Sequence, residues 1–171
     1  MIEAVTETIS TITSAITSKA TAKTEQSQSL YDQDLVMWVE DTVRKLKARD
    51  FEGLDIANLI EEVESLGKQQ KQELRNCLGS LIGHLLKWDY QPELRSKSWK
   101  ATIREQRDEV HEILLDNPSL KSYLNEAVQK GFRQGINLVL EETPLDLPDL
   151  PQVMPYTIDQ ILDLDFPTGI N

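Results

Sequence analysis

Cysteine is almost absent from this chain. The single Cys77 has no partner, so an intrachain disulfide and a cysteine-based zinc site are both excluded. Basic residues are outnumbered, 18 Lys and Arg against 29 Asp and Glu, for a formal charge of −11. That balance favours solubility and argues against the whole molecule coating nucleic acid or an anionic membrane. Apolar runs are short, and none approaches the roughly 18 residues of a membrane-spanning helix. The N-terminus lacks the basic and apolar regions of a signal peptide, so the expected compartment is the cytoplasm. Convincing strand alternation, internal repeats, Gly-rich phosphate loops, a nucleophile elbow and a Cys/His catalytic pair are all missing.

What remains is helical periodicity. With 171 residues the chain is long enough for one real core without metal or disulfide support. Residues 1–29 read as a Ser/Thr-rich tail or weak amphipathic helix, and residues 30–171 as a helical bundle domain. In the tail, Ile2, Val5, Ile9, Ile12 and Ile16 repeat at spacings of three and four, but the intervening threonines are poor helix formers.

A first helix is expected over 31–49, with Tyr31, Leu35, Trp38, Thr42 and Leu46 inward and Val39 beside them. The turn DFEGLD follows, where Gly53 can take a left-handed angle and Asp55 can cap the next helix. The second helix, 56–90, carries its apolar stripe from Ile56 to Trp88. It is apolar almost all round from Cys77 to Leu86, which predicts burial on more than one side. Gly79 and Gly83 share the face opposite the stripe, where a helix of this chain or of a second copy can come close.

A third helix is expected over 96–116, ended by Asn117-Pro118, and a fourth over 118–142. The stretch TPLDLPDLPQVMP has four prolines and must run as an extended strap. The capping box Thr157–Gln160 starts a short last helix. The fold class is therefore all-α: an up-down bundle of four main helices, a Pro-rich strap and a short C-terminal helix.

Polar groups on apolar faces mark where a site would lie. His84, Gln70 and Gln106 are such groups. A symmetric hairpin centred near Glu93 brings His84 level with Ile103. Counting back from Asn117 puts Gly131 in the same layer, with Trp88 and Trp99 one turn toward the hairpin end. His84 has no Glu-x-x-His partner, and His111 falls on another face, so no metal and no cofactor are expected. Glu61, Glu62 and Glu64 open the second helix, where negative charge offsets its dipole. Arg104 and His111 have the spacing of the Arg-x(4–6)-His signature of helical HEPN ribonucleases, but His111 follows Asp108-Glu109 and reads as solvent-facing.

Between Lys87 and Arg107 the local charge reverses. Six cations, Lys87, Arg95, Lys97, Lys100, Arg104 and Arg107, face three carboxylates, Asp89, Glu93 and Glu105. A basic tip flanked by Trp88, Tyr90 and Trp99 suits a phosphate or nucleic-acid contact. It equally suits pairing with the acidic terminal helix, through Asp159, Asp163 and Asp165. The candidate binding set is His84, Lys87, Trp88, Trp99, Lys100, Arg104, Gln106 and Arg107; no catalytic residue can be named.

The blocks YDQDLVMWVE, LDIANLIEEVESLGK, HLLKWDYQPELRSKSWKATIREQR and YTIDQILDLDFP, between Leu30 and Pro167, resemble the bacterial family catalogued as Domain of Unknown Function 29, common in cyanobacteria. The resemblance implies an all-helical bundle and carries no activity with it. Two functional classes stay open. One is a non-enzymatic interaction module, with a protein partner or a second copy bound through the Gly-lined face of the second helix, and no membrane. The other is a ligand-binding or hydrolytic protein, nucleic acid included, with its site at the His84 end.

Overall fold

A computed structural model describes residues 29–167. The expectations for the N-terminal tail lie outside those residues. The chain is all-α, with no strand among the described residues. We number the helices α1 (Leu30–Gln33), α2 (Leu35–Ala48), α3 (Ile56–Tyr90), α4 (Lys97–Asp116), α5 (Leu124–Glu142) and α6 (Ile158–Leu162). The chain divides into two compact units, one ending at Glu62 and one beginning at Val63.

In the first unit the expected helix over 31–49 is split. Asp34 is extended and its carboxylate accepts from the Met37 amide, so it ends α1 and caps α2 in one residue. The left-handed residue after α2 is Arg49, at φ 58°, and not Gly53. The Gly53 amide instead donates to the Asp50 carboxylate in a side-chain-closed turn. Asp55 opens α3 by accepting from the Asn58 amide and side chain, and the side-chain bond holds its carboxyl below the usual range. The Tyr31 hydroxyl donates to Glu62 at 2.6 Å, and that bond to a carboxylate pushes the phenol up to about 12.

Only part of the expected inward stripe of α2 is buried. Trp38 and Thr42 are covered, and Tyr31 meets the Trp38 ring edge-on at 5.0 Å. Leu35, Val39 and Leu46 are exposed. A pair of helices has one inner edge, and residues beside that edge stay open unless a third element arrives.

The second unit holds a dense core. Leu74, Leu78, Leu81, Ile82, Leu85 and Leu86 of α3 are fully buried with Ile103, Val110, Val139 and Ile161. The expected two-sided burial is present: Gly79, Ile82, Gly83 and Leu86 are all covered. The expected α3–α4 register also holds, because Asn117 donates to Gln70, as a hairpin centred near Glu93 requires.

The α5 register differs from the expectation. Gly131 lies against Leu78 and Gly79, and Gly135 lies against Gly83 and Gly79. The chain spends Pro118–Ser122 in a 3₁₀ turn before α5 begins at Leu124. Gly131 is thereby displaced from the His84 layer, and the glycines leave no room there. They admit a neighbouring backbone instead. A Cβ at Gly135 would fall 2.8 Å from the Gly83 amide nitrogen, while one at Gly67 meets nothing within 4 Å.

The contrast gives a paired test. Gly135→Ala should destabilise the protein by about 2–3 kcal/mol, because a backbone must move. Gly67→Ala should be neutral or stabilising by up to about 1 kcal/mol from helix propensity alone. Chemical denaturation of both variants checks this, and equal behaviour would contradict the close approach.

Candidate functional site

The tip of the α3–α4 hairpin is where sequence placed a site. The chain turns there through Pro92–Leu94, a single 3₁₀ turn, and Ser96 restarts the helix by accepting from the Trp99 amide. Most of the groups named for the site are already engaged by the protein itself.

His84 is half-buried and donates its Nδ1–H to the Ser80 carbonyl at 2.9 Å, leaving Nε2 as the lone-pair nitrogen. Burial lowers its pKa and nearby Lys87 adds to that; the Ser80 carbonyl and Glu142 act in the opposite direction. Lys87 is buried, with only its tip finding the surface carboxylate of Glu142, at 2.6 Å. The same ammonium stands 4.5 Å from the centre of the Trp99 ring. Its hydrogen bond to Glu142 holds that carboxyl below the usual range. Sequence reasoning missed Glu142. No local signal marks it, because its meeting with Lys87 depends on the α3–α5 register.

The aromatic rings of the tip divide, with Tyr90 exposed, Trp99 partly covered and Trp88 enclosed. Trp88 is buried, and Arg95 lies over it at 5.0 Å while donating to the Trp88 carbonyl at 2.8 Å. Tyr156, beyond the strap, donates to Asp89 at 2.7 Å, and burial with that bond raises its phenol pKa. This contact was also invisible locally.

Arg107 is the sharpest departure from the expected surface cation. It is completely buried. Its Nε donates to the Ile161 carbonyl at 2.8 Å and one terminal nitrogen donates to the Phe166 carbonyl. The other terminal nitrogen has no hydrogen-bond partner. Burial lowers its pKa, opposed by the field of Asp163. Among the described residues neither Asp159 nor Asp163 makes an ion pair with the tip of the kind expected; Arg107 holds the terminal segment through its carbonyls.

Lys97 and Arg104 are exposed and Lys100 is half-exposed, and none has a partner in the described residues. Gln106 is half-buried. The structure therefore separates the candidate set into an internal group, His84, Lys87, Trp88 and Arg107, with Trp99 and Gln106 partly covered, and an outer pair, Lys100 and Arg104. His111, on the Arg104 side of α4, is exposed and reaches only the Leu162 carbonyl, at 3.4 Å. Among the described residues no cluster of three His, Cys, Asp or Glu side chains could hold a metal ion.

A cleft of about 610 Å³ lies elsewhere, between α5 and the strap. Phe132, Ile136, Leu147 and Leu150 line it, with Arg133 and Gln152 at the side. No described helix is long and apolar enough to cross a membrane.

Over residues 30–167 the chain matches the family described as Domain of unknown function DUF29, and it belongs to that family. No functionally curated protein and no solved structure matches it.

Two outcomes follow from the tip. The His84 pKa is lower folded than unfolded, so folding favours its neutral form. Its contribution is fully present above about pH 6.5 and is lost as the pH falls through the folded value. Stability should thus fall more steeply between pH 7 and pH 5 for the wild type than for His84→Gln, as measured by urea unfolding. Arg107→Met should cost about 2–4 kcal/mol by leaving two carbonyls without donors. Hydrogen exchange should speed up first in Ile158–Leu162; unchanged exchange there would remove Arg107 from its anchoring role.

Proposed function

We propose that this protein is a non-enzymatic helical interaction module. The carrying observation is the pairing of exposed apolar surface with an internally satisfied tip. Leu35, Val39, Val43, Leu46, Ile56 and Ile60 stand open on the first unit. At the tip, Lys87 pairs with Glu142, His84 with Ser80, and Arg107 with two carbonyls. Surface of the first kind binds protein. Groups of the second kind are largely taken up within the chain: among the described residues, His84 Nε2 and one buried nitrogen of Arg107 remain without a hydrogen-bond partner.

A second reading, nucleic-acid contact, is favoured by one observation: Lys97, Lys100 and Arg104 share an outward side of α4 without partners among the described residues. Of the rings that would stack with bases, Trp88 is buried beneath Arg95 and Trp99 is partly covered by Lys87, while Tyr90 stays exposed. Fluorescence anisotropy with labelled single-stranded RNA and duplex DNA decides between the two. The expected outcome at about 50 mM salt is no binding beyond the weak non-specific range of about 0.1 mM. Tight binding that collapses with salt, and whose salt slope is blunted by Lys100→Ala and Arg104→Ala, would overturn the module reading.

A further inference from the structure

We infer that the exposed face of the α2–α3 hairpin binds a second copy of this chain, forming a four-helix, two-fold symmetric contact. This rests on the module reading and names its partner. The part of α3 that carries this face, from Ile56 to Glu62, lies with α2 in the first unit. The inner edge of the hairpin is marked by Trp38 near Asp55 and by Tyr31 on Glu62.

On each helix the apolar stripe lies about a quarter to a third of a turn further along the winding than this inner edge. Antiparallel helices wind in opposite senses when viewed down one axis. The stripe of α2, Leu35, Val39, Val43 and Leu46, and that of α3, Ile56 and Ile60, therefore turn to the same side. No charged residue interrupts either stripe. The result is an apolar face that spans both helices where Leu35 and Val39 stand near Ile56 and Ile60, and that α2 carries on through Val43 and Leu46; a symmetric copy can cover it.

The area fits that occupant. The six side chains are each between 41% and 55% exposed. Together they leave about 500 Å² open, so a symmetric pair would bury about 1,000 Å², the lower bound for a specific contact. The chain's own N-terminal segment fits less well. Its isoleucine stripe is interleaved with threonines at 6, 8, 11, 13 and 17, which oppose a helix, and it lies outside the family match while the face lies inside it. The Gly79–Gly83 face of α3, the sequence-level candidate for self-association, is closed by α5 of the same chain.

Sedimentation velocity of the full chain, from about 1 to 500 µM, tests this over the range a contact of this size supports. The expected species shift from 19.5 kDa to twice that mass. Because each copy carries −11, association should strengthen as salt rises, the opposite sign to nucleic-acid binding. Val39→Glu/Val43→Glu and Val39→Lys/Val43→Lys should each weaken association by about 100-fold, and mixing the two should restore it, since a symmetric contact uses one patch twice. Should both double variants lose helicity, Ile60→Ser, which adds no charge, should still weaken association by about five- to tenfold.

A chain that stays at 19.5 kDa throughout overturns the inference, as does a dimer that these substitutions leave unchanged. Association appearing only in Ile9→Glu/Ile12→Glu would assign the face to the N-terminal segment and overturn it too. A monomer that binds no nucleic acid removes the self-contact and leaves the module reading standing. Salt-sensitive nucleic-acid binding removes the module reading whatever the mass.

Discussion

The backbones of α3 and α5 approach so closely that a single methyl group at Gly135 would meet the Gly83 amide nitrogen at 2.8 Å. Much of the second unit depends on this contact. It closes the side of α3 opposite its main stripe, which is why Ile82 and Leu86 are buried as fully as Leu78 and Leu85. It also sets the level at which α5 ends, and so brings Glu142 to Lys87. Close packing of this kind is intolerant of added volume and fixes register more tightly than a broad leucine interface does.

The C-terminal segment is secured by a different force. Arg107 lies on α4 and forms no salt bridge among the described residues, yet it is wholly enclosed. Backbone carbonyls of Ile161 and Phe166 take the place of a counter-ion. A guanidinium presents several donors in a fixed fork, so it can hold two backbone carbonyls where an ammonium could hold them only loosely. With Tyr156 on Asp89 and the capping box of Thr157 and Gln160, this draws Ile161 into the core. Surface ion pairs such as Lys130–Glu126 add little beside these contacts.

The two ends of α3 show how one periodic sequence serves two purposes. From Leu74 to Trp88 its stripe is enclosed by partners. At Ile56, Ile60, Val63 and Leu66 the same stripe is open. Along the stripe the residue types are alike; only the opposite face differs, apolar from Cys77 to Leu86 and acidic at Glu61, Glu62 and Glu64. The exposed portion is surface that a solitary chain leaves wet, and the hydrophobic effect favours covering it. This gives the interaction reading its physical content.

Several helix positions and ends followed from the sequence alone, though not the break at Asp34 or the 3₁₀ turn that delays α5 to Leu124. Residues 56–90 formed one helix as the periodicity required, Asn117-Pro118 ended α4, and the Thr157 box began α6. The all-helical class and the family were legible because both rest on local pattern and ordered blocks. The α3–α4 register was legible too, since a short turn leaves it little freedom. The α5 register was not: a 3₁₀ turn shifts a helix without leaving a mark in its apolar pattern. The roles of the basic residues were not legible either. Lys87, Arg104 and Arg107 are alike as charges, and only packing made one a buried ion-pair partner, one an exposed cation and one an internal clamp. Periodicity says which side of a helix is apolar; which apolar side is covered depends on how many neighbours reach it, and that is decided by tertiary structure.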